Sequence, residues 1–386
     1  MTVQENHLSL YVHWPFCEAK CPYCDFNSHV RERVDAGAYK KALLAELDFF
    51  AGKTPGKKLT SIFFGGGTPS LMPPEIVAAV IEKAKEFWDL SSNIEITLEA
   101  NPGSSEAKKF QAFQKAGVNR LSLGVQSFND QALKFLGRIH NAKEAEAAIE
   151  IARDTFPRFS FDLIYALPGQ TNQAWREELG TALTLAGSHL SLYQLTLERD
   201  TAFYRQHQRG KFFLPPEDEA ADLFTLTHDV CEQAGLKAYE TSNFAVPGEE
   251  SRHNLNYWQG GCYVGIGPGA HSRIFGDGAW RAVSTLKIPE QWLEKVEQNG
   301  AGLAEDVLLT ARERGEEIVM TALRLRDGLD KKNFARNSGI PLKNLINQDA
   351  LGALKEQNLV VESETRLAAT RDGALLVNAI LGELLA

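Results

Sequence analysis

The sequence predicts an α/β protein: an open, partial (β/α)6 barrel followed by a smaller, mostly helical C-terminal domain. Three observations carry this reading. Between Leu8 and about Leu197, short β-prone apolar runs alternate with helix-like stretches. Such alternation implies right-handed βαβ units on a parallel sheet. Six units fall short of the eight in a closed barrel, so the barrel is open. After Arg209 the alternation stops and the pattern becomes loop-rich, then helical.

Taken in order, the strand candidates are Leu8–Trp14, Ser61–Phe64, Glu95–Glu99, Arg120–Gly124, Ser160–Ala166 and His189–Leu195. Helix-like segments lie between them at Tyr39–Phe50, Pro74–Trp88, Glu106–Ala116, Ala142–Asp154 and Gln173–Leu185. Pro215-Pro216 precedes a further helix, Glu217–Ala234, and an aromatic, loop-rich stretch runs from Tyr239 to Ile274. From about Thr285 the chain reads as largely helical. The runs Leu359–Val361 and Leu367–Ala369 flank a turn, giving a winged-helix-like hairpin used for packing rather than for DNA. The expected division is 1–210 for the barrel, 211–284 for a barrel-extending segment and 285–386 for the C-terminal domain. No internal repeat or low-complexity tract interrupts it.

Composition narrows the function. A net charge of −9 argues against a nucleic-acid partner bound through its phosphates. No apolar run reaches the 18 residues of a membrane span. The start MTVQENHLSLYVHW has no basic or long apolar region, so it reads as a polar tail entering a strand and a cytosolic setting is expected. Five cysteines are too few for a disulfide framework, yet three fall within eight residues, which reads as metal or cluster ligation.

Those three, Cys17-x3-Cys21-x2-Cys24, place thiolates on a tight loop after the first strand. A 4Fe–4S cluster ordinarily takes four thiolates. With three, one iron keeps a position open to a chelating small molecule such as S-adenosylmethionine. The competing reading is zinc completed by His13 or His29, but structural zinc sites favour paired ligands from separated knuckles. Gly65-Gly66-Gly67-Thr68-Pro69 follows the second strand and lets a backbone edge approach a ligand closely. It is not a phosphate loop, because Thr68 leads into proline rather than a helix. Glu99, Gln126, Arg138 and Asp162 gather mostly at later strand ends, where they suit hydroxyl, amine and carboxylate contacts to a nucleoside-bearing cofactor.

Together these motifs resemble the radical S-adenosylmethionine superfamily. Tyr11-Val12-His13-Trp14-Pro15-Phe16-Cys17 and Gly65–Pro69 point to its coproporphyrinogen-oxidase-like branch. The resemblance continues through Tyr239–Ala245 and Gly265–Ser272, so it covers nearly the whole chain. It implies that Cys17, Cys21 and Cys24 bind a 4Fe–4S cluster. It also implies that Tyr11, Gly66, Gly67, Thr68, Glu99, Gln126, Arg138 and Asp162 bind S-adenosylmethionine.

Two kinds of protein share that branch: oxygen-independent coproporphyrinogen III oxidases, and heme-binding chaperones. The oxidases continue the motif with a fourth cysteine where Phe26 stands, and carry an extension before the cluster. Both departures favour the chaperone. So does His253-Asn254-Leu255-Asn256-Tyr257-Trp258, which matches the HNxxYW signature of the chaperones. His253 offers an axial imidazole, while Tyr257 and Trp258 offer flat faces and polar edges, with Asn254 beside them. Cys262 is one more soft ligand nearby. The expected partners are heme as cargo and apo-hemoproteins such as respiratory-chain oxidases or cytochromes. Membrane contact is peripheral at most, and monomer and homodimer both remain open. Decarboxylation of coproporphyrinogen is the alternative activity, and radical modification of RNA a weaker third.

Other chemistry-bearing residues read as structural. His207 and His228 are expected on solvent faces of helices, Cys231 as a small buried residue, and Trp88, Trp175 and Trp292 as core or rim aromatics.

Overall fold

The computed structural model describes residues 6–386; most of the expected polar tail lies outside the described residues. Six parallel strands follow in chain order: β1 (His7–Trp14), β2 (Lys58–Gly66), β3 (Asp89–Ala100), β4 (Arg120–Gln126), β5 (Arg158–Tyr165) and β6 (His189–Gln194). Their alternation sorts the side chains. Leu8, Leu10 and Val12 of β1 are buried in the main apolar core, beneath helices such as Ala36–Lys53. The alternate residues Ser9, Tyr11 and His13 face the lumen, which is polar: Ser61 donates to Ser9 at 2.8 Å and Ser160 bonds His189 at 2.7 Å. This places every functional candidate of the first six strands along one lumen or at its C-terminal mouth.

The sheet extends beyond the six units to twelve strands. Tyr263–Ile266 adds a seventh parallel strand on the far side of β1, followed by the antiparallel strands His271–Gly276, Ala279–Thr285 and Leu303–Leu309. At the other edge, Asn243–Ala245 runs antiparallel to β6. The strand Leu303–Leu309 adds to the largely helical segment expected after Thr285: as an edge strand with mostly exposed side chains, it lacks the apolar alternation that would reveal it. Trp292 and Val296 of the Pro289–Asn299 helix pack into the barrel core, whereas the second core forms from Ile318 onward around Phe334, Leu354, Leu367 and Ile380. The hairpin is present as Val360–Glu362 against Arg366–Ala369, with Leu329–Asp330 as third strand.

The loop-rich stretch Tyr239–Ile274 also contains short strands and the short helix Arg252–Trp258. One further reading changes. His228 does not sit on a solvent face; its ring lies 4.3 Å from Phe224 and 5.0 Å from Phe244, and burial pushes its pKa down to about 4. Trp88, Trp175, Trp292 and Cys231 are all buried in the core.

Candidate functional site

The cysteine loop is closed at its base by Phe16–Cys17 pairing with His29–Val30 and by a 2.7 Å bond from the His29 amide to the Pro15 carbonyl. Cys17, Cys21 and Cys24 are free, half-buried thiols. Burial pushes Cys17 and Cys24 above the usual thiol pKa, and their cysteine neighbours add to the shift, so binding of a cationic metal centre would have to release these protons. The two histidines that could complete a zinc site are both engaged in hydrogen bonds. His13 donates from Nε2 to the Asn27 carbonyl at 2.9 Å, which leaves Nδ1 to accept from the Tyr11 hydroxyl at 2.9 Å. His29 Nε2 is engaged with Asn27 Oδ1 at 3.1 Å. Among the described residues no three His, Cys, Asp or Glu side chains converge as a single-ion site.

The glycine loop lies directly against the cysteines. The amide of Gly67 donates to the Trp14 carbonyl at 2.8 Å and that of Thr68 to the Phe16 carbonyl at 2.9 Å. A β-carbon on Gly67 would stand 2.8 Å from the Phe16 carbonyl oxygen and 2.9 Å from the Cys17 sulfur. Gly66 adopts φ +119°, and a β-carbon there would strike the His13 ring at 2.7 Å. Only glycine allows this approach.

Around that loop stand the polar candidates. Glu99 Oε2 accepts from the Gly66 amide at 3.2 Å. Burial pushes its carboxyl up to about 8, with repulsion from Asp162 adding to the effect; Asp162 is itself raised by burial to about 6. Arg138 donates from Nη1 to Cys21 Sγ at 3.5 Å, and from Nη2 to Asn101 Oδ1 and to the Gly124 carbonyl. Gln126 ends β4 at a register shift, with φ +73°. A non-glycine residue held in the left-handed region at a strand end is the kind of local strain found at ligand sites. Asp162 Oδ1 and Arg138 Nε have no protein partner although buried. Tyr11 stands deeper, its ring stacked 6.2 Å from Phe63. These residues fit a cationic, nucleoside-bearing cofactor: carboxylates for ammonium and hydroxyl groups, a guanidinium for a carboxylate.

The HNxxYW segment occupies a different place. Ser251 caps its helix, and Glu95 on β3 accepts from the His253 amide at 3.1 Å, adding a carboxylate at the helix N-terminus. Burial opposes ionisation of Glu95, but Arg120 and Arg158 hold its carboxyl below the usual range. His253 is 2% exposed and points into the lumen, stacked 4.9 Å from Phe63. Ser61 gives its one proton to Ser9, so His253 must donate from Nδ1 to Ser61, at 2.9 Å. Nε2 therefore keeps its lone pair, and it has no protein partner. Tyr257 packs edge-on against His253 at 4.9 Å, while Leu255 and Trp258 pack against the second core. His253 and Tyr257 thus lie in one surrounding and Trp258 in another, rather than gathered on an open face, while the Asn254 amide is held by the Ser251 cap. Cys262 is buried, and its carbonyl accepts from the Ser9 amide near the start of β1 at 3.2 Å.

Sequence reasoning passed over three residues. Asn101 ties Arg138 to Thr68, whose hydroxyl it meets at 3.3 Å; its signal was the polar stretch Glu99–Pro102 after the third strand. Asn27 binds the Pro268 and Lys287 carbonyls, each at 2.9 Å, and so anchors the cysteine loop on the Gly265–Ser272 segment. Buried Glu46 accepts from the Gly267 and Gly302 amides and from Trp292. Neither contact is readable from spacing, because each joins residues more than 200 apart.

Fold and cysteine cradle define a protein of the radical S-adenosylmethionine class. Residues 11–181 match the family model for the Radical SAM superfamily and residues 309–376 that for the HemN C-terminal domain. Within that class, the chain belongs to the HemW family. It is 40% identical to the heme chaperone HemW of Haemophilus influenzae, over 97% of each chain, and 37% identical to that of Escherichia coli, again over 97% of each. It is 38% identical to radical S-adenosyl methionine domain-containing protein 1, mitochondrial, of Bos taurus, over 98% of this chain and 87% of the relative. Among solved structures, the coproporphyrinogen III oxidase HemN of Escherichia coli aligns with a TM-score of 0.81 at 25% identity, covering 98% of this chain and 90% of that one.

Proposed function

We propose that this chain is a heme carrier: it binds heme and passes it to apo-hemoproteins such as respiratory-chain oxidases or cytochromes. Cys17, Cys21 and Cys24 would hold a 4Fe–4S cluster, which when loaded offers S-adenosylmethionine an open iron and one-electron reduction. Glu99, Gln126, Arg138, Asp162 and the Gly66-Gly67-Thr68 backbone, with Tyr11 beneath them, would bind that cofactor. Full-length likeness to proteins named heme chaperones supports the reading. The observation that carries it is His253, fixed through Nδ1 with an unused lone pair on Nε2. Neutral imidazole nitrogen of this kind is a ligand for heme iron.

The fit to an oxidase structure keeps a second reading in view, the radical decarboxylation of coproporphyrinogen. Phe26 speaks against it, 62% exposed where the oxidases place a fourth cysteine. No helix among the described residues is long and apolar enough to cross a membrane. The carrier reading therefore includes a cytoplasmic setting with peripheral membrane contact at most, no nucleic-acid partner, and a monomer or homodimer.

The test is anaerobic reconstitution with iron and sulfide, followed by parallel assays of bound heme, 5′-deoxyadenosine and porphyrinogen decarboxylation. Stoichiometric heme without decarboxylation is expected, with heme affinity lowered in His253→Ala. Changing any of Cys17, Cys21 or Cys24 to Ser should abolish the brown cluster absorbance. Robust conversion of coproporphyrinogen would sink the carrier reading.

A further inference from the structure

We propose that the cleft between the barrel and the C-terminal domain is a macrocycle-binding site, and that it recognises the porphyrin by its apolar plane and its carboxylates rather than by its metal. The inference rests on the carrier reading and specifies where the cargo lies. The cleft has a volume of about 820 Å3, within the range of sites for molecules of this size. It lies beside the His253 helix, which contributes Leu255 and Gln259 to its wall.

Its floor is apolar. Ile318, Leu325, Leu329 and Phe334 of the second core line it together with Leu255. Its rim is cationic: Lys237, Arg326, Lys332 and Arg366 are all exposed there. In a chain of net charge −9, such a grouping is a local feature and not a consequence of composition. Three carboxylates share the rim and keep their charge, but two of them are held in place by backbone amides. Glu250 accepts from Gly248, and Asp330 caps the Lys331–Ser338 helix by accepting from Asn333 at 2.7 Å. Asp327 is the third. Arg326 pairs at 3.1 Å with Glu232, both about half exposed, a contact weak enough to be exchanged for a ligand carboxylate. Arg366 commits one donor to the Asp327 carbonyl, at 3.2 Å, out of the five a guanidinium carries.

An apolar floor with cations at its rim complements a flat macrocycle that carries carboxylates at its periphery. No histidine, cysteine or methionine lines the cleft, so it offers the iron none of these ligands. Metal-free porphyrin should therefore bind as well as the iron form does before any ligation.

The experiment uses the full chain with three probes: hemin, protoporphyrin IX and protoporphyrin IX dimethyl ester, followed by fluorescence or absorbance titration. Arg326→Glu combined with Arg366→Glu should weaken protoporphyrin IX by about tenfold or more, the loss of one or two charge-assisted bonds. The same variant should leave the ester unchanged. Gln259→Trp, which fills the cleft mouth from an exposed position, should weaken both. If the double variant loses its fold by circular dichroism, Lys332→Glu on an exposed helix position replaces it, with a smaller loss expected for the acid alone. Equal binding of protoporphyrin IX by wild type and charge-reversed protein overturns the cleft, as does binding of hemin without any binding of the metal-free porphyrin. In either case bound hemin leaves the carrier reading standing. Failure of the wild type to bind hemin at all removes that reading instead.

Discussion

Glu99 and Asp162 repel each other across the mouth of the barrel, and burial raises both. Each therefore holds a proton in the native state that the unfolded chain would release at lower pH. The sign follows: their contribution to stability is full below the unfolded carboxyl pKa and is lost as pH rises, through about 6 for Asp162 and about 8 for Glu99. A cationic cofactor prefers the ionised forms. Affinity for S-adenosylmethionine should accordingly fall as pH drops from 8.5 to 6.5, and Glu99→Gln should flatten that slope while lowering affinity. Calorimetric titration at three pH values checks both, and a slope unchanged in the variant would separate Glu99 from the cofactor. Gly67 supplies the second residue-scale prediction. A methyl group there meets the backbone of Pro15 and Phe16 and the sulfur of Cys17, none of which can retreat as a flexible side chain would. Gly67→Ala should leave the far-ultraviolet circular dichroism intact and cut cluster incorporation at least as far as a single Cys→Ser change; iron and sulfide content per chain measures it.

The Arg252–Trp258 helix shows what an element owes to distant residues. It has seven residues, too few to be stable alone. Ser251 caps it from within, but Glu95, more than 150 positions earlier, receives its His253 amide and pairs with Arg158 at 2.7 Å. Removing that carboxylate leaves the buried Arg120 guanidinium without its nearby counter-charge, while the half-buried Arg158 keeps Glu249 at 2.8 Å. Glu95→Ala should cost about 3–5 kcal/mol in urea unfolding, against about 1 kcal/mol for Ser251→Ala; near-equal costs would show that Glu95 is no more than a cap. The same helix marks the limit of what the sequence discloses. The six parallel strands are legible because each is a run of outward apolar residues between helices, as Leu8, Leu10 and Val12 illustrate. The cofactor candidates are legible because they cluster just after those runs. By contrast, the motif helix hides its period: His253 and Tyr257 face the lumen while Leu255 and Trp258 face the second core, so both sides look buried. Leu303–Leu309 is hidden for the opposite reason, since an edge strand with exposed side chains carries no apolar stripe.

At the scale of the molecule, two cores meet at that helix. The barrel core and the C-terminal core share no buried members; Leu255 and Trp258 belong to the motif helix yet pack on the latter. A second tie lies alongside, where Arg314 donates to the Gly260 carbonyl and to Glu317, which in turn holds Arg273 on the sheet at 2.6 Å. The arrangement divides the proposed work between two ends. Cysteines, glycines and raised carboxyls lie at the C-terminal mouth of the barrel. His253 reaches up from the opposite end, 6.3 Å from Tyr11 and stacked on Phe63. With Nε2 turned inward, iron lying in the cleft outside the helix can meet it only if the helix rolls, giving up the Phe63 stack and the Glu95 contact. Metal-free porphyrin gives no reason to roll, because it has no iron to ligate. Hydrogen exchange of amides 251–259 should therefore quicken when hemin is bound and stay slow, or slow further, with protoporphyrin IX. Emission from Trp258 should change in parallel, since its indole leaves the second core with the helix. Equal protection by the two ligands, with a Soret band unmoved in His253→Ala, would show that the imidazole remains a core residue and that iron is held elsewhere.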